Sequence, residues 1–120
     1  MREILFRGKT VCNGDWVYGG ITWNPSRNKV FIHTKSDECE VIPKTVGQYT
    51  GLKDKKGTRI FQKDVVRIYY PFDDPNDCVV SWSKEGARWD FGGCDAYFCT
   101  PSKNCEVIGN IFDNSLEEET

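Results

Sequence analysis

Lys53, Lys55, Lys56, Arg59, Lys63 and Arg67 fall within fifteen residues of one another, interleaved with Tyr49, Phe61, Tyr69 and Tyr70. Small β-barrels that hold single-stranded nucleic acid combine cations that track phosphates with rings that stack on bases. This stretch therefore offers a candidate nucleic-acid surface built from Lys53, Lys55, Lys56, Arg59, Lys63, Arg67 and Tyr49. Its competing reading is an ordinary solvated hairpin turn whose nearby aromatics fill a core. A basic footprint usually comes with a basic domain, whereas the pI here is about 5.4.

Other clusters carry weaker chemistry. Cys94, Cys99 and Cys105 are separated by four and five residues, with Cys78 upstream. Zinc wants about four converging thiolate or imidazole ligands and usually a C-x₂₋₄-C knuckle. Cys94 and Cys99 reach only the wide end of that spacing, and His33, the single histidine, is remote in sequence. Thiols without metal are the better reading. A general base at His33 needs a positioned partner, and the sequence names none. Asp73, Asp74 and Asp77 lack the alternating ligands and central glycine of a calcium loop. Neither Gly19-Gly20 nor Gly92-Gly93 has the spacing of a phosphate cradle. No catalytic residue, metal site or cofactor is expected, and the chain does not read as an enzyme.

Short strands must position these residues. Ile4-Leu5-Phe6 opens a strand, Asn13-Gly14 signals a hairpin, and Trp16-Val17-Tyr18 returns from it. Gly19-Gly20 permits a bend or bulge before Ile21-Thr22-Trp23. Further strands are expected at Val30-Phe31-Ile32-His33 and Glu40-Val41-Ile42. Asp54-Lys55-Lys56-Gly57 is a turn, with Asp able to accept a backbone hydrogen bond and Gly supplying positive φ. Gln62-Lys63-Asp64 makes a second corner before Val65-Val66-Arg67-Ile68-Tyr69-Tyr70, where Val66 and Ile68 share a face. Pro71 ends that strand, and the acidic Pro71–Asp77 segment reads as an exposed loop. Cys78–Trp82, Trp89–Phe91, Ala96–Cys99 and Glu106–Phe112 complete the series, and Leu116–Thr120 is an acidic tail. The expected core takes Val66, Ile68, Val80, Trp82, Val107 and Ile111. With no sustained helical period, the pattern argues for an all-β barrel or sandwich.

At 120 residues, 38% hydrophobic, the chain suits one domain or a barrel with a small extension. No apolar run approaches the ~18 residues of a membrane span, and Met1-Arg2-Glu3-Ile4 lacks a signal-peptide core. A cytoplasmic location is expected, where cysteines stay reduced. Net charge is −2, but seven basic residues oppose five acidic in 1–47, six oppose two in 48–67, and three oppose eleven in 68–120. The basic middle and acidic end could meet within one fold, across a head-to-tail contact between subunits, or leave a patch for an anionic partner.

The run Gln48-Tyr49-Thr50-Gly51-Leu52-Lys53-Asp54-Lys55, followed by Gly57, Ile60-Phe61 and Asp64-Val65-Val66, resembles the YopX family of phage and prophage proteins. Arg2-Glu3-Ile4-Leu5-Phe6-Arg7-Gly8-Lys9 and Val107-Ile108-Gly109-Asn110-Ile111-Phe112-Asp113-Asn114 agree with it in the family's order, bracketing nearly the whole chain. At the central corner the family usually has an acidic residue and glycine before the aspartate. This chain has Gln62-Lys63-Asp64, so Lys63 must do without glycine's freedom.

The resemblance implies an all-β protein encoded by a phage or integrated element in a bacterial host, with a small SH3-like β-barrel over 48–114, an N-terminal β-hairpin extension over 1–47 and an acidic tail over 115–120. It implies no activity. The expected role is a non-enzymatic interaction or assembly protein, a homo-oligomer or a partner of another phage or host protein, with no membrane contact. The alternative is nucleic-acid binding through the basic turn at 53–67. A third idea has the acidic last half imitating nucleic acid to occupy a host DNA-binding protein.

Overall fold

The computed structural model describes residues 4–85, 88–91 and 100–113. Its described strands are β1 (Phe6–Lys9), β2 (Trp16–Asn24), β3 (Lys29–His33), β4 (Glu38–Val41), β5 (Gly47–Lys53), β6 (Arg59–Phe61), β7 (Asp64–Ile68), β8 (Asn76–Ser83), β9 (Arg88–Phe91) and β10 (Cys105–Asn110). A 3-10 turn at Pro43–Thr45 and one helical turn, α1 (Pro101–Asn104), complete it. The fold is all-β, and the chain forms two compact units, Met1–Tyr49 and Thr50–Thr120, with the passage between them inside β5.

In the first unit the strands run in the order β4-β3-β2-β1-β5. Asn13-Gly14 does close the first hairpin, but as the end of a wider loop. Thr10 N–H donates to Asp15 O (2.9 Å), Gly14 N–H to Thr10 O (3.0 Å), and Gly14 takes φ 76°, which glycine adopts without strain. β2 then changes partner in mid-course: Trp16–Gly19 pairs with β1 and Gly20–Asn24 with β3. Gly19 marks the crossing. A Cβ there would lie 1.9 Å from the carbonyl oxygen of His33, a distance no side chain tolerates. The expected bend is thus a close approach within a continuous strand. An isolated bridge between Thr10 and Val41 ties the end of β1 to β4. Val30, Ile32 and Val41 form the buried core, flanked by Phe6, Val17 and Val46.

The second unit holds the sheet β10-β7-β8-β9, antiparallel throughout. Its core is Ile60, Val66, Ile68, Cys78, Val80, Phe91 and Cys105, with Tyr70, Trp89 and Val107 packed against it. β7 buries alternate residues, as a strand with one face on a core must. Among the described residues this sheet is open, with β10 and β9 at its edges, so the barrel implied by the family resemblance is not closed here. The expected corner at Gly92-Gly93, the strand at Ala96–Cys99 and the tail at 115–120 lie outside the described residues.

Two expected core residues are corrected. Trp82 is 44% exposed and Ile111 39%. Trp82 does lie on the face of Cys78 and Val80, but one position past the last covered residue. There its ring packs edge-on against its cross-strand neighbour Trp89, centroids 5.0 Å apart. Ile111 follows β10 and belongs to a turn, in which Asn110 Oδ1 accepts from the backbone N–H groups of Phe112 and Asp113, both at 2.9 Å.

Candidate functional site

The basic turn is real, and its centre is a buried acid. Asp54 is 4% exposed. Its Oδ1 accepts from the N–H groups of Lys56 (2.9 Å) and Thr58 (2.8 Å), and its Oδ2 accepts from Val107 N–H at 2.9 Å. Gly57 closes the turn at φ 84°, with its N–H donating to Asp54 O. The same carboxylate therefore shapes the hairpin and ties it to β10, a tie doubled by Lys55 N–H donating to Cys105 O (3.0 Å). Asp64 repeats the device at the next corner, where it is 1% exposed and accepts from Phe61 N–H at 2.7 Å. Lys63, between them, takes φ 73°, the left-handed conformation for which glycine would be suited.

Because both aspartates of the segment are turned inward, the surface charge of the turn is positive. Lys53, Lys55, Lys56 and Arg59 are exposed, while Lys63 and Arg67 are partly covered. Several of these cations already have partners. Lys55 Nζ sits 4.0 Å from the centroid of the Tyr69 ring. Lys56 Nζ meets Glu106 Oε2 at 2.5 Å, and Glu106 Oε1 accepts from the Tyr69 hydroxyl at 2.9 Å. Arg67 grips Asp77 with two parallel bonds, Nε to Oδ1 at 2.9 Å and Nη2 to Oδ2 at 3.2 Å. Lys63 Nζ lies 5.6 Å from the Phe112 ring centroid.

The strand register explains this pairing. Glu106 of β10, Arg67 of β7 and Asp77 of β8 stand directly opposite one another across three strands, so charges alternate along one row of the outer face. Their titration follows. The hydrogen bonds from Lys56 and then Tyr69 hold Glu106 below its usual 4.5, and Arg67 holds Asp77 below 3.8. In return Glu106 raises Lys56 and the Tyr69 hydroxyl, and Asp77 raises Arg67. Burial lowers Lys63.

Of the aromatics expected to stack on bases, Tyr49 is 4% exposed and belongs to the first unit, so its ring offers no face to a ligand. Phe61 is also 4% exposed, Tyr69 is covered on one face by Lys55, and Tyr70 packs on the core. The structure thus assembles the cations of the predicted surface but not its rings.

The remaining clusters are described only in part. His33 is exposed, and both its partners, the Thr22 hydroxyl and Glu38 Oε2 (3.4 Å), address the same ring nitrogen, Nε2. A relay needs an orienting partner on the other nitrogen. Cys78 and Cys105 are buried in the apolar core, Cys12 is exposed and Cys39 half-buried. No group of three or more His, Cys, Asp or Glu placed for a metal ion occurs among the described residues, and Cys94 and Cys99 lie outside them.

Sequence reasoning missed a different feature. Ile21 (38% exposed) and Trp23 (51%) stand opposite Ile32 and Val30 across β2 and β3, on the face that carries the first core. They extend that apolar face beyond the buried residues. The alternation was visible in Ile21-Thr22-Trp23, but nothing local marks where a core stops.

Fold and surface together define a small all-β protein with two cores, a self-paired charged outer face and apolar side chains left in solvent. The family model described as YopX protein matches residues 6–117, and the chain belongs to the YopX family. No curated protein matches the chain. The crystal structure of protein EF1440 from Enterococcus faecalis is similar over 96% of this chain and 97% of that one, with a TM-score of 0.62 and 17% identity. That likeness concerns the fold. Among the described residues no helix is long and apolar enough to cross a membrane.

Proposed function

We propose that this YopX-family chain is a non-enzymatic interaction and assembly protein of a phage or prophage, acting in the cytoplasm of a bacterial host. The observation that carries the reading is the apolar face continued into solvent by Ile21 and Trp23. A contiguous apolar face left uncovered beside a core is the usual footprint of a protein partner. The pairing of the outer-face charges with one another, and of both His33 partners with one nitrogen, supports a surface that recognises rather than reacts. Size exclusion coupled to light scattering tests it, on wild type and on Trp23→Lys over a concentration series. Wild type is expected above its 13.8 kDa chain mass, or shifted by a phage or host protein that the variant fails to hold. A monomer that retains no partner removes the reading.

A second reading keeps the basic hairpin as a nucleic-acid surface, favoured by the outward cations Lys53, Lys55, Lys56 and Arg59. It predicts single-stranded DNA binding that falls steeply with salt and weakens in Lys53→Glu. Glu106 and Asp77 oppose it by neutralising Lys56 and Arg67 in place.

A further inference from the structure

β2 has one covered half and one open edge. Its pairing with β1 stops at Phe6↔Gly19, and among the described residues Gly20–Asn24 pairs only with β3. Gly20, Ile21, Thr22 and Trp23 are exposed in succession, and the space where Gly20 would carry a Cβ is open to 4 Å. The register shows which backbone groups lie on that edge. Val11 N–H donates to Glu40 O (3.0 Å), so Glu40 turns its backbone groups away from β3. Successive residues of a strand turn theirs to opposite sides, and hydrogen-bonded pairs alternate with non-bonded ones along an antiparallel ladder. Through Phe31↔Glu40 and Thr22↔Phe31, Thr22 therefore faces its N–H and C=O toward β3. Those of Ile21 and Trp23 point the other way, onto the open edge. Sheet proteins ordinarily blunt such an edge with charged residues or proline. Gly20–Asn24 contains neither.

We propose that this edge pairs with the same edge of a second copy, antiparallel, about a two-fold axis at Thr22. This rests on the assembly reading and names its partner and its contact. The edge is complementary to itself in one register. With Thr22 facing Thr22 of the second copy, Ile21 faces Trp23 and Trp23 faces Ile21, so every outward N–H and C=O of these residues meets its counterpart. A register centred on Ile21 would bring Trp23 to Gly19, which β1 already pairs, and one centred on Trp23 would bring Ile21 to Pro25, which has no N–H. In the Thr22 register the axis runs through the sheet, so Ile21 and Trp23 of both copies share one face, that of the core formed by Val30, Ile32 and Val41. An aromatic opposite a β-branched residue is a favourable cross-strand pair. The contact is isologous and closes on itself as a dimer.

Light scattering over a concentration series tests it, on wild type, Thr22→Lys, Thr22→Glu and an equimolar mixture of the two variants. Wild type is expected to approach twice its 13.8 kDa chain mass. Each variant alone should associate at least about fivefold more weakly, because like charges then stand directly opposite one another across the axis. The mixture should recover a one-to-one heterodimer, because opposite charges now meet there. Amide exchange adds a backbone readout. The Ile21 and Trp23 amides should be slow in the dimer and fast in Thr22→Lys, while the amide of residue 22, turned toward β3, stays slow in both and reports an intact fold. Monomeric wild type overturns the proposal; if that monomer holds a phage or host protein through Trp23, the assembly reading stands and the edge belongs to another chain. An oligomer untouched by either charge also overturns it and leaves the assembly reading to another surface. A mixture no tighter than its separate components overturns the two-fold register.

Discussion

Lys63 shows what a side chain costs at a corner whose backbone conformation suits glycine. A left-handed φ of 73° in a side chain with a Cβ is held there by the corner around it: Lys63 N–H donates to Val80 O at 2.8 Å, and its carbonyl accepts from Ile111 N–H at 3.1 Å. Such strain amounts to about 1–2 kcal/mol, partly offset by the greater unfolded-state freedom of the glycine that would relieve it. Lys63→Gly should therefore stabilise the fold by about 0.5–1 kcal/mol, read from urea denaturation, and a destabilised variant would show that the Phe112 contact and the half-buried ammonium matter more. Asp54 and Asp64 carry the converse lesson. Two acids that count against the positive charge of the segment in a composition are spent inside the fold, on backbone donors.

At the scale of elements, the row from Glu106 through Arg67 to Asp77 makes β10, β7 and β8 an electrostatic as well as a hydrogen-bonded unit. Glu106 and Asp77 titrate lower when folded than their ordinary 4.5 and 3.8, so their contribution is present above those values and lost as pH falls through the lower folded ones. Lys56 and Tyr69 titrate higher when folded than 10.5 and 10.0, so theirs is present below those values and lost as pH rises through the folded ones. The melting temperature should accordingly sag below about pH 4 and again above about pH 10, modestly because the groups are exposed to solvent. In Glu106→Gln both limbs should flatten; unchanged limbs would show the pairs to be without weight. The strands themselves were legible in the sequence, because alternation such as Val66-Arg67-Ile68 and turns such as Asp54–Gly57 are local signals. The charge row was not. It depends on which strand lies beside which, a matter of register that neither Arg67 nor Asp77 announces. The exposure of Trp82 and the burial of Tyr49 were hidden for the same reason, since each is decided by what other strands cover.

For the molecule as a whole, the organising fact is two cores in one short chain, one around Ile32 and one around Ile68. Removing a methyl group from either costs about 1 kcal/mol in a well-packed site. Ile32→Val and Ile68→Val should each destabilise by that amount in thermal or urea unfolding, and a variant as stable as wild type would show its site to be loosely packed. The sheet of the second unit also has a history built into its order. Its inner strand β7 ends at Ile68, but the neighbour that completes it on one side starts only at Cys105. At ribosomal speeds of about 5–20 residues per second, β7 waits some seconds beside a vacant edge during synthesis. Until Val107 is made, the Oδ2 of Asp54 lacks the donor that β10 brings to it. The last of the described strands is thus the one that completes the Asp54–Gly57 turn.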